Sequence, residues 1–222
     1  MALNRQVFSQ RAVTAVFFVA AMLSGLCWSN WSFLLLVLVI HAGCWVEYEQ
    51  LYAAFRFPVR YMVLGFFYLS LSWTLFIDLK LHDPLASVMS TSWPVLPLFV
   101  LACMWINDTM AYMVGSLIGR TPLSPVSPKK TWEGLGASIV GAIVGGQLLV
   151  LLTPASFWFG LLFGAAILMS SVLGDLSESL LKRDLNVKDM GTVLPGHGGV
   201  LDRIDSLIPS SFVAFLLSQM VF

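Results

Sequence analysis

Charged residues are scarce in this sequence, and hydrophobic residues are correspondingly abundant. Lys, Arg, Asp and Glu make up 11% of its 222 residues and hydrophobic residues 58%, whereas soluble domains carry about 25% charged residues. Acidic and basic side chains balance, so no net positive charge favours nucleic acid as a partner. With a mean hydropathy of +0.85, the composition argues against a soluble globule and predicts a membrane protein.

Cysteine is also rare, and its placement argues against two kinds of site. The three cysteines, Cys27, Cys44 and Cys103, all lie in apolar runs. Because the sequence contains neither a CxxC pair nor a Cys/His cluster, we expect neither a disulfide framework nor a zinc site. Internal repeats, low-complexity tracts and a separate soluble domain are not evident in the sequence either.

Long apolar runs are the main feature of this chain. Those long enough for membrane spans of about 20 residues lie at 12–28, 31–50, 60–77, 94–117, 134–152, 156–174 and 205–222. Helices are expected because a chain in lipid must satisfy its own backbone hydrogen bonds. We therefore predict an all-α, polytopic integral membrane protein with about seven transmembrane helices.

These helices are expected to form a single transmembrane domain over residues 1–222. Residues 1–92 would supply N-terminal helices, the first of them retained and not cleaved as a signal peptide. Residues 93–222 would supply the catalytic helices and cytoplasmic loops. Glycines four residues apart are typical of close helix packing, within one chain or in a homodimer. They occur at Gly115/Gly119, Gly141/Gly145 and Gly160/Gly164.

Basic residues fall almost entirely on one side of the predicted spans. Only Lys80 lies on the other side. Because basic loops remain in the cytoplasm, this asymmetry predicts a cytoplasmic N-terminus. We expect an integral protein of a bacterial inner membrane, with its active site facing the cytoplasm.

A charged, glycine-rich stretch at residues 179–205 interrupts the apolar sequence. If the sixth predicted helix continues beyond the membrane, Asp175, Glu178, Ser179 and Lys182 share one face of it. This would place a polar stripe at the inner edge of the membrane. A solvated amphipathic helix end, with basic residues reaching outward, would show the same pattern.

Glycines and acids follow this stripe. Residues 195–199 (PGHGG) let backbone N–H groups approach a ligand. Asp202 and Asp205 then open the last predicted helix, where acids could also be simple caps. With nearby Lys and Arg, such acids suit Mg²⁺-dependent phosphate chemistry. His197 could contact phosphate, act as a base or donate a structural hydrogen bond.

Two further polar sites are predicted on the same side of the membrane. Ser127 is a candidate N-cap of the fifth predicted helix, with Pro128 at its first position. Lys129 and Lys130 would then oppose the helix dipole, which favours a bound anion, although positive-inside flanking explains them too. Asp108 lies within the fourth predicted span, where a carboxylate indicates either function or pairing with a neighbouring polar group.

These motifs resemble those of the phosphatidate cytidylyltransferases (CDP-diacylglycerol synthases). The family signature is matched by the run Ser179-x-Leu181-Lys182-Arg183, Lys188-Asp189-x-Gly191, Leu194-Pro195-x-His197-Gly198-Gly199-Val200-x-Asp202-Arg203-Ile204-Asp205. Asn107-Asp108-Thr109-x-Ala111-Tyr112-x-x-Gly115-x-x-x-Gly119-Arg120 and Ser127-Pro128-x-Lys130-Thr131-x-Glu133-Gly134 are similar to further family motifs. The resemblance covers about residues 100–222.

The resemblance implies the reaction CTP + phosphatidic acid → CDP-diacylglycerol + pyrophosphate, with Mg²⁺ and room for a second cation. The implied partners are CTP, phosphatidic acid and membrane lipids, without nucleic acid. The implied catalytic residues are Asp175, Lys182, Arg183 and Asp202, with Asp175 and Asp202 as metal ligands. Candidate substrate-binding residues are Asp108, Ser127, Lys130, Lys188, His197 and Arg203. Glu133, Glu178, Asp189 and Asp205 rank second.

Four other functions stay open at this stage. The nearest is a cytidylyltransferase for another lipid phosphate, followed by a CTP-dependent polyprenol or phytol kinase, which attacks the γ-phosphorus. A transporter could line its path with Asp108 and Asp175, but the charges cluster on one side of the membrane instead of crossing it. A non-catalytic scaffold would not need this density of acids, bases and glycines.

Overall fold

The structure, a computed structural model, describes residues 5–52, 55–191, 193 and 198–221. Its helices are α1 (Arg5–Trp28), α2 (Asn30–Tyr52), α3 (Pro58–Leu81), α4 (Pro84–Val88), α5 (Val95–Ile118), α6 (Trp132–Leu152), α7 (Phe157–Asp184), α8 (Leu201–Ile204) and α9 (Leu207–Val221). The described residues contain no β-strand, and an isolated antiparallel bridge joins Pro122 and Thr131. The predicted all-α class is confirmed.

In the part of the chain that the structure describes, five helical segments are long and apolar enough to cross a membrane. They are Asn30–Leu51, Pro58–Val88, Val95–Ile118, Trp132–Leu152 and Phe157–Asp184. A shorter apolar segment, Val16–Trp28, precedes them. The chain is therefore a polytopic integral membrane protein, whereas the number of seven spans stays a prediction.

The last predicted span, 205–222, corresponds to α9, which begins at Leu207 and has 15 residues. A separate short helix, α8, and a turn precede it. Pro209 explains the break, because a proline ring clashes with the carbonyl four residues earlier in a continuous helix. That carbonyl belongs to Asp205, which lies in the turn.

The chain divides into two compact units. The first comprises Met1–Trp73 and Leu181–Ile204, and the second comprises Thr74–Leu180 and Asp205–Phe222. The predicted single transmembrane domain, with its division at residues 92/93, stays a prediction. In the first unit α2 packs against α1, and the Tyr48 hydroxyl donates a 2.6 Å hydrogen bond to the Tyr61 carbonyl.

Glycines allow helices of the second unit to approach closely, as their spacing predicts. A Cβ on Gly145 would fall 2.9 Å from Cys103 Sγ of α5. A Cβ on Gly160 or Gly164 would overlap backbone atoms of α6 or lie within 2.6 Å of them. Close backbone approach of this kind is the usual reason for small residues in membrane helices.

Candidate active site

Helix α7 carries the predicted polar stripe without interruption. It runs from Phe157 to Asp184, so the sixth helix does continue past the predicted span 156–174, which is the condition on which the shared face depended. Its end is set by Asn186, whose φ of 55° is left-handed. The Val187 N–H then bonds to the Lys182 carbonyl at 2.9 Å, which is one bond of a Schellman motif. The chain consequently turns away from the helix axis just after Lys182 and Arg183.

Three carboxylates of the second unit converge at this helix. Oxygens of Asp175, Glu178 and Asp205 all lie within 4.8 Å of one another. Asp205 reaches α7 because Gly174 has no side chain, and a Cβ there would overlap the Asp205 carbonyl. Clustered carboxylate oxygens are the ligands that Mg²⁺ prefers, so the donor set fits a hard cation. Glu178 is 6% exposed, which makes uncompensated negative charge costly there.

Lys130 supplies positive charge beside this cluster. Its ammonium forms an ion pair with Asp175 Oδ2, and both side chains are about one-third to one-quarter exposed. The loop that carries Lys130 is folded back, because the Leu123 N–H donates to the Lys130 carbonyl at 2.7 Å. Lys130 and Asp175, both predicted from sequence, are therefore brought together.

The predicted N-cap at Ser127 is wrong. Helix α6 begins at Trp132, and its cap is Thr131, whose hydroxyl accepts a hydrogen bond from the Gly134 N–H at 3.1 Å. Ser127 instead lies in a turn, where its carbonyl accepts from the Lys130 N–H. The bridge between Pro122 and Thr131 holds residues 121–131 in a non-helical loop. The lysines thus precede the helix and do not occupy its first turn.

Lys182 and Asp202 form a second cluster, in the first unit. Lys182 Nζ lies 2.8 Å from Asp202 Oδ1, and the side chains are 14% and 3% exposed. The Asp202 carboxylate also accepts hydrogen bonds from the backbone N–H groups of Met190 and Gly199. Burial would raise the pKa of Asp202, but the Lys182 ammonium and these N–H donors outweigh it and lower the pKa.

Glu47 of α2 is a further buried acid, and sequence reasoning missed it. Its side chain is 1% exposed, and its oxygens accept from the N–H groups of Val200 and Leu201 at 2.8 and 2.9 Å. One signal could have found it. A carboxylate at the end of an apolar span is costly unless it has a function, and this holds for Glu47 as it does for Asp108.

The other predicted site residues are less enclosed. Exposed side chains belong to Asp108, Arg183, Lys188, Asp189 and Arg203. Glu133 follows the α6 cap and accepts from the Thr121 N–H and hydroxyl. His197 lies outside the described residues. For all of these, the predicted roles stay predictions.

Comparison with known proteins places this arrangement in a family. The sequence model of the cytidylyltransferase family matches residues 89–221, which is more than half of the chain. The chain belongs to the cytidylyltransferase family. The matched segment contains the acidic cluster and Lys130 of the second unit. It also contains the Lys182–Asp202 pair of the first unit.

This cytidylyltransferase-family chain is also similar to curated proteins. A phosphatidate cytidylyltransferase of Mycobacterium bovis is 45% identical over 116 residues, covering 50% of this chain and 37% of that protein. One from Synechocystis is 41% identical over 139 residues, covering 58% of this chain and 47% of that protein. One from Helicobacter pylori is 46% identical over 108 residues. The chain thus spans less than half the length of these relatives.

Proposed function

We propose that this protein transfers CMP from CTP to phosphatidic acid, giving CDP-diacylglycerol and pyrophosphate. The observation that carries the proposal is the cluster of Asp175, Glu178 and Asp205 with Lys130 paired to Asp175. All four residues lie within the segment that matches the family. Acids for a hard cation and a base for phosphate are what nucleotidyl transfer requires. The names of the relatives support the same reaction.

The reaction balances without a protein base. An ionised phosphate oxygen of phosphatidic acid attacks the α-phosphorus of CTP, and a new P–O bond forms. The bond between the α-phosphorus and the bridging oxygen to the β-phosphorus breaks, and pyrophosphate leaves with the electron pair. Because the attacking oxygen is already ionised, His197 is assigned to phosphate contact or structure and not to proton removal. The task of the protein is to position two anions and stabilise the leaving charge.

Acids and bases of the chain divide this task. Asp175, with Glu178 and Asp205, would hold Mg²⁺, which when bound neutralises triphosphate oxygens; a second cation is part of the proposal. Lys130 would contact phosphate beside them. Lys182 and Arg183 would bind phosphates, supported by Lys188. Further proposed substrate-binding residues are Asp108, Ser127, His197 and Arg203.

Asp202 remains a proposed metal ligand on the strength of the resemblance alone. Each of its oxygens already accepts N–H hydrogen bonds from Lys182, Met190 or Gly199. This arrangement suits a residue that orients Lys182. Metal titrations of Asp202→Asn and Asp205→Asn, compared side by side, distinguish the two roles.

The membrane setting is part of the proposal. We place the protein in a bacterial inner membrane with its active site facing the cytoplasm, because the basic loops lie on that side in the sequence and CTP is a cytosolic nucleotide. A homodimer remains a prediction from the glycine spacing. Mass measurement of the purified protein in detergent tests it.

The test follows the α-phosphorus of CTP. Purified protein, phosphatidic acid, Mg²⁺ and α-labelled CTP should give label in the lipid phase, and EDTA should abolish it. Asp175→Asn should lower the rate by about 100-fold or more. The control is Asp78→Asn, an acid that pairs with exposed His82, which should behave like wild type.

Three other outcomes would redirect the proposal. If label transfer needs another lipid phosphate, the reaction stands and the acceptor changes. If γ-labelled CTP labels a lipid alcohol instead, the chain is a lipid kinase. If neither label is transferred from CTP to any lipid acceptor, the transporter hypothesis is tested next.

A further inference from the structure

We infer that Glu47 is a positioning residue, which holds the Gly199–Asp202 turn and through it sets the geometry of the Lys182–Asp202 pair. The inference rests on the proposed function, because its kinetic effect is measured on CMP transfer. Glu47 lies on α2, well before the segment that matches the family. The inference therefore places a residue that supports the proposed site on an N-terminal helix.

The Glu47 carboxylate engages two successive backbone donors. Oε1 accepts from the Val200 N–H at 2.8 Å and Oε2 from the Leu201 N–H at 2.9 Å. These donors open α8, a helix of only four residues, whose first N–H groups have no partners within the helix. A carboxylate is well suited to this position, since it offers two acceptor oxygens and opposes the partial positive charge of the N–H groups.

The neighbouring N–H donor of the same turn binds Asp202. The Gly199 N–H, one residue earlier, donates to Asp202 Oδ2 at 2.7 Å. Successive amides of this turn are thus divided between Asp202 and Glu47. Displacing Val200 and Leu201 would therefore move the backbone that presents Asp202 to Lys182.

Two glycines make room for the Glu47 carboxylate. A Cβ on Gly199 would fall 2.5 Å from Glu47 Oε2, and one on Gly191 would overlap the Glu47 carboxyl carbon. Both separations from Glu47 are under 3.0 Å, which real Cβ atoms essentially never show. The close fit on two sides fixes where the carboxylate can lie, so Glu47 constrains both the Gly191 segment and the Gly199–Asp202 turn.

Replacing this acid by an amide keeps its size but changes its bonding. In Glu47→Gln one acceptor oxygen becomes an NH₂ group, which would face a backbone N–H donor. A buried donor without an acceptor is costly, so the turn is expected to shift. Glu49 provides the matched control, because it lies two residues along the same helix and its side chain is exposed.

The first measurement is the KM for CTP in E47Q, E49Q and wild type, in the full chain in detergent with phosphatidic acid and Mg²⁺. We expect E47Q to raise this KM by about fivefold or more, because Lys182 would no longer be held for phosphate. A smaller folded fraction lowers the apparent kcat but leaves KM unchanged, so KM separates positioning from loss of fold. E49Q should match wild type.

The second measurement does not depend on activity. Trypsin should cut after exposed Lys188 about tenfold faster in E47Q than in wild type, because the loop it lies in is released. If E47Q gives no folded protein, E47D replaces it; this variant keeps the charge with a side chain one methylene shorter, and both readouts should move in the same direction.

Unchanged KM in E47Q would overturn the inference, whether or not cleavage increases. Unchanged cleavage would overturn it as well. If wild type transfers no label from CTP, the proposed function fails by itself, and the cleavage rates alone decide whether Glu47 holds the turn.

Discussion

Lys182 and Asp202 show why a buried ion pair is better understood as a constraint than as a source of stability. Taking both charges out of water costs several kcal/mol, and the attraction between them is of similar size. Removing one partner leaves the other buried and uncompensated, at a cost of about 3–5 kcal/mol. The additional N–H groups from Met190 and Gly199 orient the carboxylate and hence the ammonium that it holds.

The lowered pKa of Asp202 predicts how stability depends on pH. A carboxyl whose folded-state pKa is depressed contributes stability above its unfolded pKa of about 3.9 and loses it as the pH falls through the folded value. In EDTA, the Tm of wild type should exceed that of Asp202→Asn by a constant amount between about pH 5 and pH 7. The difference should shrink below about pH 4. A difference that grows on acidification would contradict the assigned direction.

Lys130 is expected to affect the reaction more than the stability. Its pair with Asp175 is partly exposed, and such pairs contribute about 1 kcal/mol or less. Lys130→Met should therefore leave the unfolding transition in detergent nearly unchanged while raising the KM for CTP about tenfold. Lys129→Met, at an exposed neighbouring position, is the control. Equal effects of the two variants would mean that only general positive charge matters.

At the scale of elements, the crossing of α6 and α7 depends on missing side chains. A Cβ on Gly164 would overlap the Ala142 carbonyl oxygen, whereas one on Gly136 would meet nothing within 4 Å. Backbones can approach in the first case only because the residue is glycine. The helix that carries Asp175 and Glu178 is positioned by this contact.

The matched pair Gly164→Ala and Gly136→Ala tests this crossing. Gly164→Ala should destabilise the protein by about 1–3 kcal/mol, because the helices must move apart. Gly136→Ala should stabilise it by about 0.5–1 kcal/mol, since alanine restricts the unfolded chain and favours helix. Thermal unfolding in the same detergent measures both. Equal destabilisation by both substitutions would remove the packing argument.

A second feature at this scale is the end of α7. Asn186 adopts a left-handed conformation that asparagine tolerates better than most residues. The following bonds to the carbonyls of Lys182 and Arg183 close the helix. The two bases therefore lie in the last turn, where the helix dipole favours positive charge.

At the scale of the whole molecule, the positive-inside asymmetry predicts which loops face the cytoplasm. In a background with Cys27, Cys44 and Cys103 replaced by alanine, Lys129→Cys should react with a membrane-impermeant maleimide only after the membrane is opened. Ser92→Cys, in the loop before α5, should react in intact cells. Reaction of both positions from the same side would contradict the predicted orientation.

Much of the architecture was predictable from composition alone. Apolar length and the need to satisfy backbone hydrogen bonds in lipid are properties of each segment by itself. The helices over 95–118 and 132–152 therefore agree with prediction within a few residues. The errors occurred where local chemistry competes: Ser127 and Thr131 are both good caps, and only the loop pairing at Pro122 selects Thr131.

The sequence by itself determined the membrane class, the helices and the polar residues that any phosphate chemistry would need. Their spacing also placed Asp175, Glu178 and Lys182 on one helix, because the helical period is a local property. Tertiary structure alone decided that Asp205 joins Asp175 while Asp202 joins Lys182, although these acids are three residues apart. It also decided that Glu47, some 150 residues earlier in the chain, holds the Val200–Leu201 amides. Contacts over such separations depend on how helices pack and where glycines leave space, which no local pattern in the sequence encodes.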